Sequence, residues 1–322
     1  MCTTVGFPYE EGIVFGRTLE IGVKLNNKIV FVPRDKEHFI SAKGTNFSSK
    51  YSVIGTAFYE ISSFGDGINE MGLMASSNLL PKYASFAKEV VEGKINMTTS
   101  NAFDYLLSRC KDVEEVRREA ANIIVIEQGD TKEDVSNEMH FFFMDAKCNK
   151  LVLEPRDGIL VAYDNPYGVL TNSPEFGWHA TNLKNYINLR PENIEEKKFN
   201  EAIVIKFGEG TGMLGLPGDF TPPSRFVRSA YFVSNTPKDL DRNSAILQTF
   251  RILSQSDIPT GAVIGDQGKT QDQTLYTAVM DTKKQAYFIK CHDNINIQSF
   301  YLSDYKDEKD IKFIDLEKEI KL

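Results

Sequence analysis

The sequence predicts an α+β protein built in layers, with helices packed on largely antiparallel sheets. Three observations point there. Alternating apolar and polar positions recur in three blocks along the chain, and segments with helix-start signals lie between those blocks. No internal repeat, low-complexity linker or composition break divides the 322 residues, so one domain over 2–322 is expected.

Residues 12–33 alternate (Ile13, Phe15; Val23, Leu25; Ile29, Phe31) and stop at Pro33, which predicts two antiparallel strands. Residues 53–59 and 72–77 read as further strands, with Ser62-Ser63-Phe64-Gly65-Asp66-Gly67 as a loop of turn formers between them. Thr99-Ser100-Asn101 offers an N-cap for a helix over 102–110, and Asp112 opens a second, amphipathic one running to about residue 123. Strand patterning returns over 139–144, 150–154, 159–163 and 168–171, punctuated by Asp157-Gly158 and Asn165-Pro166, as in an antiparallel meander. Helices are expected at 178–187, at 224–234 behind Pro222-Pro223, and at 245–253. Residues 274–280 and 285–290 form a last hairpin, 299–302 an edge, and the alternately charged run 304–322 a solvated terminal face.

Composition narrows the function. The 41% hydrophobic and 25% charged fractions are those of a soluble globular protein, and no apolar run approaches the roughly 20 residues that span a bilayer. A net charge of -8 without clustered Lys and Arg argues against nucleic acid as a partner. Cys2, Cys110, Cys148 and Cys291 are scattered with no CxxC pair, and His38, His140, His179 and His292 show no HExxH spacing. Neither a metal site nor a disulfide framework is expected. With no basic leader or apolar h-region before Cys2, a cytoplasmic protein is expected.

The amino end carries the chemistry. Removal of Met1 would leave a residue with both a thiol and a free α-amine. A thiolate is the attacking species, and a free thiol pKa of about 8.5 leaves little of it at pH 7. An α-amine titrates near ~7.7–8.0, so it can take the thiol proton and return it to a leaving amine. Arg17, permanently cationic, would favour the thiolate from a neighbouring strand, and Glu20 could orient the amine. Residue types alone leave open an ordinary surface pair at Arg17 and Glu20 and an inert thiol at Cys2.

The remaining motifs bear on that choice. Met1-Cys2-Thr3, Phe15-Gly16-Arg17-Thr18-Leu19-Glu20, Val30-Phe31-Val32-Pro33-Arg34, Gly67-Ile68-Asn69-Glu70, Leu170-Thr171-Asn172-Ser173-Pro174, Gly215 to Phe220 (GLPGDF) and Ser224-Arg225-Phe226 resemble, in order, those of the choloylglycine hydrolase family. That family contains the conjugated bile acid hydrolases and the penicillin V acylases. The resemblance spans roughly residues 2 to 300. It implies a four-layer αββα N-terminal-nucleophile hydrolase sandwich of antiparallel sheets, a homotetramer, and cleavage of a small-molecule amide without cofactor or metal. It further implies Cys2 as nucleophile and base, Arg17 as support for the thiolate, Asn172 as an oxyanion donor and Arg225 as the anchor of the network. Glu20 stands where the family has Asp, and the amine-orienting role is carried over to it.

At the position where the bile salt hydrolases carry Asn and the penicillin V acylases Tyr, this chain has Leu79. The family uses the backbone N–H there in the oxyanion hole, so that function survives and the specificity marker does not. Pairing Asn78 with the site instead would need a one-residue slip that reverses its facing. Leu19, Ile21 and Phe58 match acyl-pocket positions, although plain core packing accounts for them equally well. Arg17-Thr18-Leu19-Glu20, Gly72-Leu73-Met74 and Asp257-Ile258-Pro259-Thr260-Gly261 look more like the acylase branch, which places penicillin V ahead of bile conjugates. Acyl homoserine lactones, a non-catalytic binding protein, and a cysteine hydrolase with His140 or His179 as base remain alternatives.

Overall fold

The chain enters its first strand at the second residue. In the computed structural model, which describes residues 1–23, 25–37, 46–58, 63–127, 137–265 and 268–320, β1 (Cys2–Tyr9) runs antiparallel to β2 (Gly12–Ile21). β1 is buried on both faces, so it lacks the alternation that marks a half-exposed strand and escapes a period-2 reading. β3 (Asn27–Val32) follows, but the two strands read from residues 12–33 part into different sheets.

β4 (Val53–Phe58), β5 (Phe64–Asn69) and β6 (Met74–Leu79) continue the sheet that β3 enters. Most of the expected 62–67 loop is therefore a buried central strand. Gly55 and Gly67 face each other across β4 and β5. A Cβ on Gly55 would lie 2.1 Å from the Asp66 backbone oxygen, so the glycines serve close strand approach and not a turn. Next come β7 (Ile95–Met97), α1 (Thr99–Arg109), α2 (Val113–Ala120), β8 (Ile123–Val125), β9 (Met139–Met144), β10 (Lys150–Arg156) and β11 (Ile159–Asp164). The strands run β3-β4-β5-β6-β9-β10-β11-β8-β7 across this second sheet.

β12 (Val169–Leu170) leaves that meander, contrary to expectation, and pairs with β1 in the first sheet. α3 (Phe176–Asn182) and one 3-10 turn (Leu183–Tyr186) fill the helix expected at 178–187. A hairpin that the sequence did not announce, β13 (Glu196–Phe199) with β14 (Ala202–Ile205), stands exposed. α4 (Pro222–Ser234) and α5 (Arg242–Ser254) precede β15 (Val263–Gly265), β16 (Thr270–Asp281), β17 (Ala286–Cys291) and β18 (Asn294–Tyr301). The first sheet is ordered β12-β1-β2-β16-β17-β18, with β15 on β16. The terminal run is not wholly solvated, because β19 (Lys312–Ile314) pairs with β3 and Leu316 is buried.

Four layers result: α4 and α5, the first sheet, the second sheet, then α1 and α2. Phe15, Met280, Phe142 and Met144 fill the space between the sheets, with the Phe15 and Phe142 rings 5.1 Å apart. Phe103, Leu106 and Val116 seal α1 and α2 onto Phe141, Phe143 and Leu153. Each such side chain contributes about 1.5–3 kcal/mol on burial. The sandwich brings the start of β1 against the end of β6.

Candidate active site

Cys2 lies opposite Leu19, and Thr4 opposite Arg17. Directly opposed residues share a face of the sheet, so Cys2, Thr4, Arg17 and Leu19 all face the second sheet, while Thr3, Thr18 and Glu20 face the helices. On the inner face Arg17 Nη2 donates to Cys2 Sγ at 3.3 Å and to the Ser77 oxygen at 3.1 Å. Its Nη1 donates to Asp66 Oδ2 at 2.8 Å and to the Tyr276 hydroxyl at 2.5 Å. The Tyr276 hydroxyl in turn donates to Asp66 Oδ2 at 2.6 Å, and that of Tyr287 donates to Asp66 Oδ1. Burial alone would weaken the Arg17 charge, but Tyr276, Cys2 and Asp66 outweigh it and hold the guanidinium well above its ordinary value. Arg17, 2% exposed, is no surface residue.

Arg225, fully buried in the first turn of α4, reaches the same strand end from the helix layer. Its Nε donates to the Phe220 oxygen at 2.9 Å, its Nη1 to the Cys2 oxygen and to Thr3 Oγ1, and its Nη2 to Asn172 Oδ1 at 2.7 Å. Asn172 Oδ1 also accepts from the Cys2 backbone N–H at 2.7 Å. Two donors at Oδ1 fix the orientation of the amide, and Nδ2 donates to the Leu79 oxygen at 2.8 Å. One Nδ2 hydrogen is left for a ligand.

Two buried histidines support this segment from behind. His179 Nε2 bonds the Asn172 oxygen at 2.8 Å and His140 Nε2 the Thr171 oxygen at 3.1 Å. His140 Nδ1 rests on Glu154, which also accepts the Phe176 N–H. Burial pulls the His179 pKa down to about 4 against the Asn172 oxygen, with His140 and Arg225 adding to the fall. Both rings are thus committed to backbone positioning.

Glu20 occupies the helix face, fully buried, and neither carboxylate oxygen has a donor in good geometry. Burial raises its pKa, opposed by Arg225, the amino terminus, the nearby Thr18 hydroxyl and Arg17. Met1 pairs with Glu20 through the backbone, the Glu20 N–H donating to the Met1 oxygen at 2.7 Å and the amino terminus to the Glu20 oxygen. Glu20 and Arg17 therefore act on opposite sides of β2.

Leu79 ends β6 and is 37% exposed. The Leu80 N–H donates to the Glu138 oxygen on the β9 side, so the backbone of Leu79 turns the other way, toward Asn172. Asn78 is buried and spans the sheets through Thr4 Oγ1 and the Thr171 oxygen, as its opposite facing requires. Leu19 lies beside Cys2 and Ile21 ends β2. The Phe58 side chain falls outside the described residues.

Asp66, Tyr276 and Tyr287 are the members of this cluster that sequence reasoning missed. Asp66 sat in a Gly-rich run that reads as a turn, and the tyrosines looked like ordinary strand residues. The one available signal was Asp-Gly at the centre of a segment whose neighbours, Phe64 and Ile68, are apolar. Among the described residues no group of three or more His, Cys, Asp and Glu side chains could hold a metal ion, and no helix is long and apolar enough to cross a membrane.

Residues 2–313 match the family of linear amide C-N hydrolases, choloylglycine hydrolase family. The chain is 32% identical over 302 residues to a bile salt hydrolase/transferase of Clostridium perfringens, covering 93% of this chain and 92% of the relative. The crystal structure of a mutant conjugated bile acid hydrolase from C. perfringens superposes with a TM-score of 0.92 at 30% identity, over 100% of this chain and 99% of that one. A penicillin V acylase from Agrobacterium tumefaciens shares the fold, with a TM-score of 0.78 at 22% identity, covering 98% and 91%.

Proposed function

The chain belongs to the choloylglycine hydrolase family of linear amide C–N hydrolases, and we propose that its substrate is a bile acid joined through an amide to glycine or taurine. The observation that carries the proposal is the Cys2, Arg17, Asn172 and Arg225 cluster in a chain whose relatives at 30% identity and above include bile salt hydrolases. The sequence motifs put penicillin V first. The relatives reverse that order, because the penicillin V acylase likeness, at 22% identity, supports the fold alone.

In this reading, loss of Met1 frees the Cys2 α-amine, which takes the thiol proton. The thiolate beside Arg17 attacks the amide carbonyl, and the developing oxyanion is met by the free Asn172 Nδ2 hydrogen and the Leu79 N–H. The α-ammonium protonates the departing glycine or taurine nitrogen. Water, activated by the same amine, then hydrolyses the thioester and releases the bile acid. Glu20 faces the amine from the helix side, and Leu19 and Ile21 take the acyl side; Phe58 is assigned there by resemblance alone.

A panel of glycocholate, taurocholate, penicillin V and an acyl homoserine lactone, compared by kcat/KM, tests the substrate. Bile conjugates should exceed penicillin V by tenfold or more, about 1.4 kcal/mol in transition-state binding. A penicillin V value equal to or above theirs reverses the assignment, and hydrolysis surviving Cys2→Ala removes the mechanism.

The same reading takes 2–322 as one folding unit, supported by β19 completing the second sheet beside β3. It also places the protein in the cytoplasm, in keeping with four free cysteines. A homotetramer is proposed too, supported by the exposed apolar side chains Phe199, Ile203, Ile205 and Phe207 around the β13–β14 hairpin. Light scattering should report four copies, and Ile203→Lys with Ile205→Lys should lower that number.

A further inference from the structure

We propose that Asp66, held by Tyr276 and Tyr287, is the positioning residue of the nucleophile: it fixes the Arg17 guanidinium against Cys2 and offsets its charge, so that the thiolate is formed without being held too tightly to attack. The inference rests on the reading of Cys2 as nucleophile. It assigns a role to three residues that make no contact with the reacting carbon.

The geometry comes from strands of both sheets. Both Nη1 hydrogens of Arg17 on β2 are taken, one by Asp66 of β5 and one by Tyr276 of β16. A planar guanidinium held at one terminal nitrogen has the direction of the other fixed, and Nη2 therefore points at Cys2 Sγ and the Ser77 oxygen. Asp66 is locked in turn, with Tyr276 on Oδ2, Tyr287 of β17 on Oδ1 and Thr56 behind Tyr287. Asp66, Tyr276 and Tyr287 are all 1% exposed or less.

The charge argument follows from the same contacts. The charged and titratable groups around Cys2 are Arg17, Asp66, Tyr276 and Tyr287 on the thiol side, and Arg225 of α4, Glu20 of β2 and the α-amine on the other. Arg17 without Asp66 would be a buried cation whose nearest counter-ion is the thiolate itself. The thiol would ionise more readily, yet intrinsic thiolate reactivity falls about threefold for each unit of pKa lost. Asp66 makes Arg17 half of a neutral pair, so the thiolate stays reactive.

The test is the pH dependence of Cys2 alkylation by iodoacetamide, read by mass spectrometry of the N-terminal peptide, with kcat, KM and melting temperature measured beside it. Asp66→Asn keeps the shape and removes the charge. Its alkylation midpoint should fall by a unit or more, and kcat should drop about threefold for each unit of that fall, with KM changed less than threefold. Tyr276→Phe leaves the Asp66 charge unshared, so its midpoint should rise. Opposite shifts are what a merely structural role would not give. Midpoints that stay put, or move the same way, overturn the proposal; if Asp66→Asn fails to fold, a Tyr276→Phe midpoint that falls or stays put does so alone. Alkylation needs no substrate, so an error in the substrate assignment leaves this test intact. Hydrolysis by Cys2→Ala would instead sink the nucleophile reading.

Discussion

The side-chain amide of Asn172 donates to the backbone oxygen of Leu79 at 2.8 Å, joining the segment after β12 in the first sheet to the end of β6 in the second. The two proposed oxyanion donors thus come from different sheets, and their spacing depends on how the sheets dock. Asn172→Ala should lower kcat by about 100- to 1000-fold, the usual cost of one oxyanion donor, with KM changed only a few fold. Because Asn172 also accepts from the Cys2 N–H and Arg225, the melting temperature should fall as well. A kcat loss under tenfold would remove Asn172 from the oxyanion site.

Backbone and side-chain roles separate at Leu79. Leu79→Ala keeps the N–H and should hold kcat within a few fold while raising KM through the lost apolar contact. Leu79→Pro removes the N–H and should cost about 100-fold or more in kcat. Equal losses in both variants would argue for the side chain. Circular dichroism checks that the proline variant retains its sheets.

His179 makes the Thr171-Asn172 segment sensitive to acid. Its folded pKa, near 4, lies below the unfolded value of about 6.5, so the stability it contributes is full above 6.5 and lost as pH falls toward 4. The melting temperature should decline across that window, and His179→Gln should flatten the decline. Parallel profiles for the two proteins would show that the acid sensitivity lies elsewhere.

Asp104 acts in the opposite direction. Fully buried in α1, it accepts the Phe64 N–H at the start of β5, and burial raises its pKa to about 8 despite that bond and one from Ser63. The folded pKa lies above the unfolded value of about 3.9, so stability is full below 3.9 and is lost as pH rises toward 8. Asp104→Asn keeps an acceptor for Phe64 and removes the ionisation. It should match the wild type near pH 4 and exceed it by about 1 kcal/mol or more at pH 8 in denaturant titrations.

The sequence disclosed the inner face of the site unevenly. Cys2 and Arg17 were legible because a thiol next to the initiator methionine and a cation on a following strand have a chemical logic of their own. Asn172 and Arg225 were legible only through resemblance, since nothing local marks an Asn after a short strand or an Arg in a first helical turn. Asp66 was hidden because Gly-Asp-Gly has the composition of a turn, and only close approach to β4 makes it a strand. β12 was misplaced for a related reason: two residues carry no period, so their partner is decided by packing. The 139–144, 150–156 and 159–164 strands were readable since their apolar runs and turns agree with the fold they enter.

The pleat of β2 divides the groups to which the proposed reaction is assigned. Arg17 and everything that holds it lie on the inner side of the sheet, while Glu20, Thr18 and Arg225 meet the same strand end from the helix side. In the proposed mechanism, proton supply is thus handled on one side of the strand and the setting of the thiolate on the other, with Cys2 belonging to both and the Arg17 charge still acting on Glu20 across it. On that reading, substitutions on the helix side should shift the pH of turnover more than the strength of the sulfur's attack, and substitutions on the inner side should do the reverse.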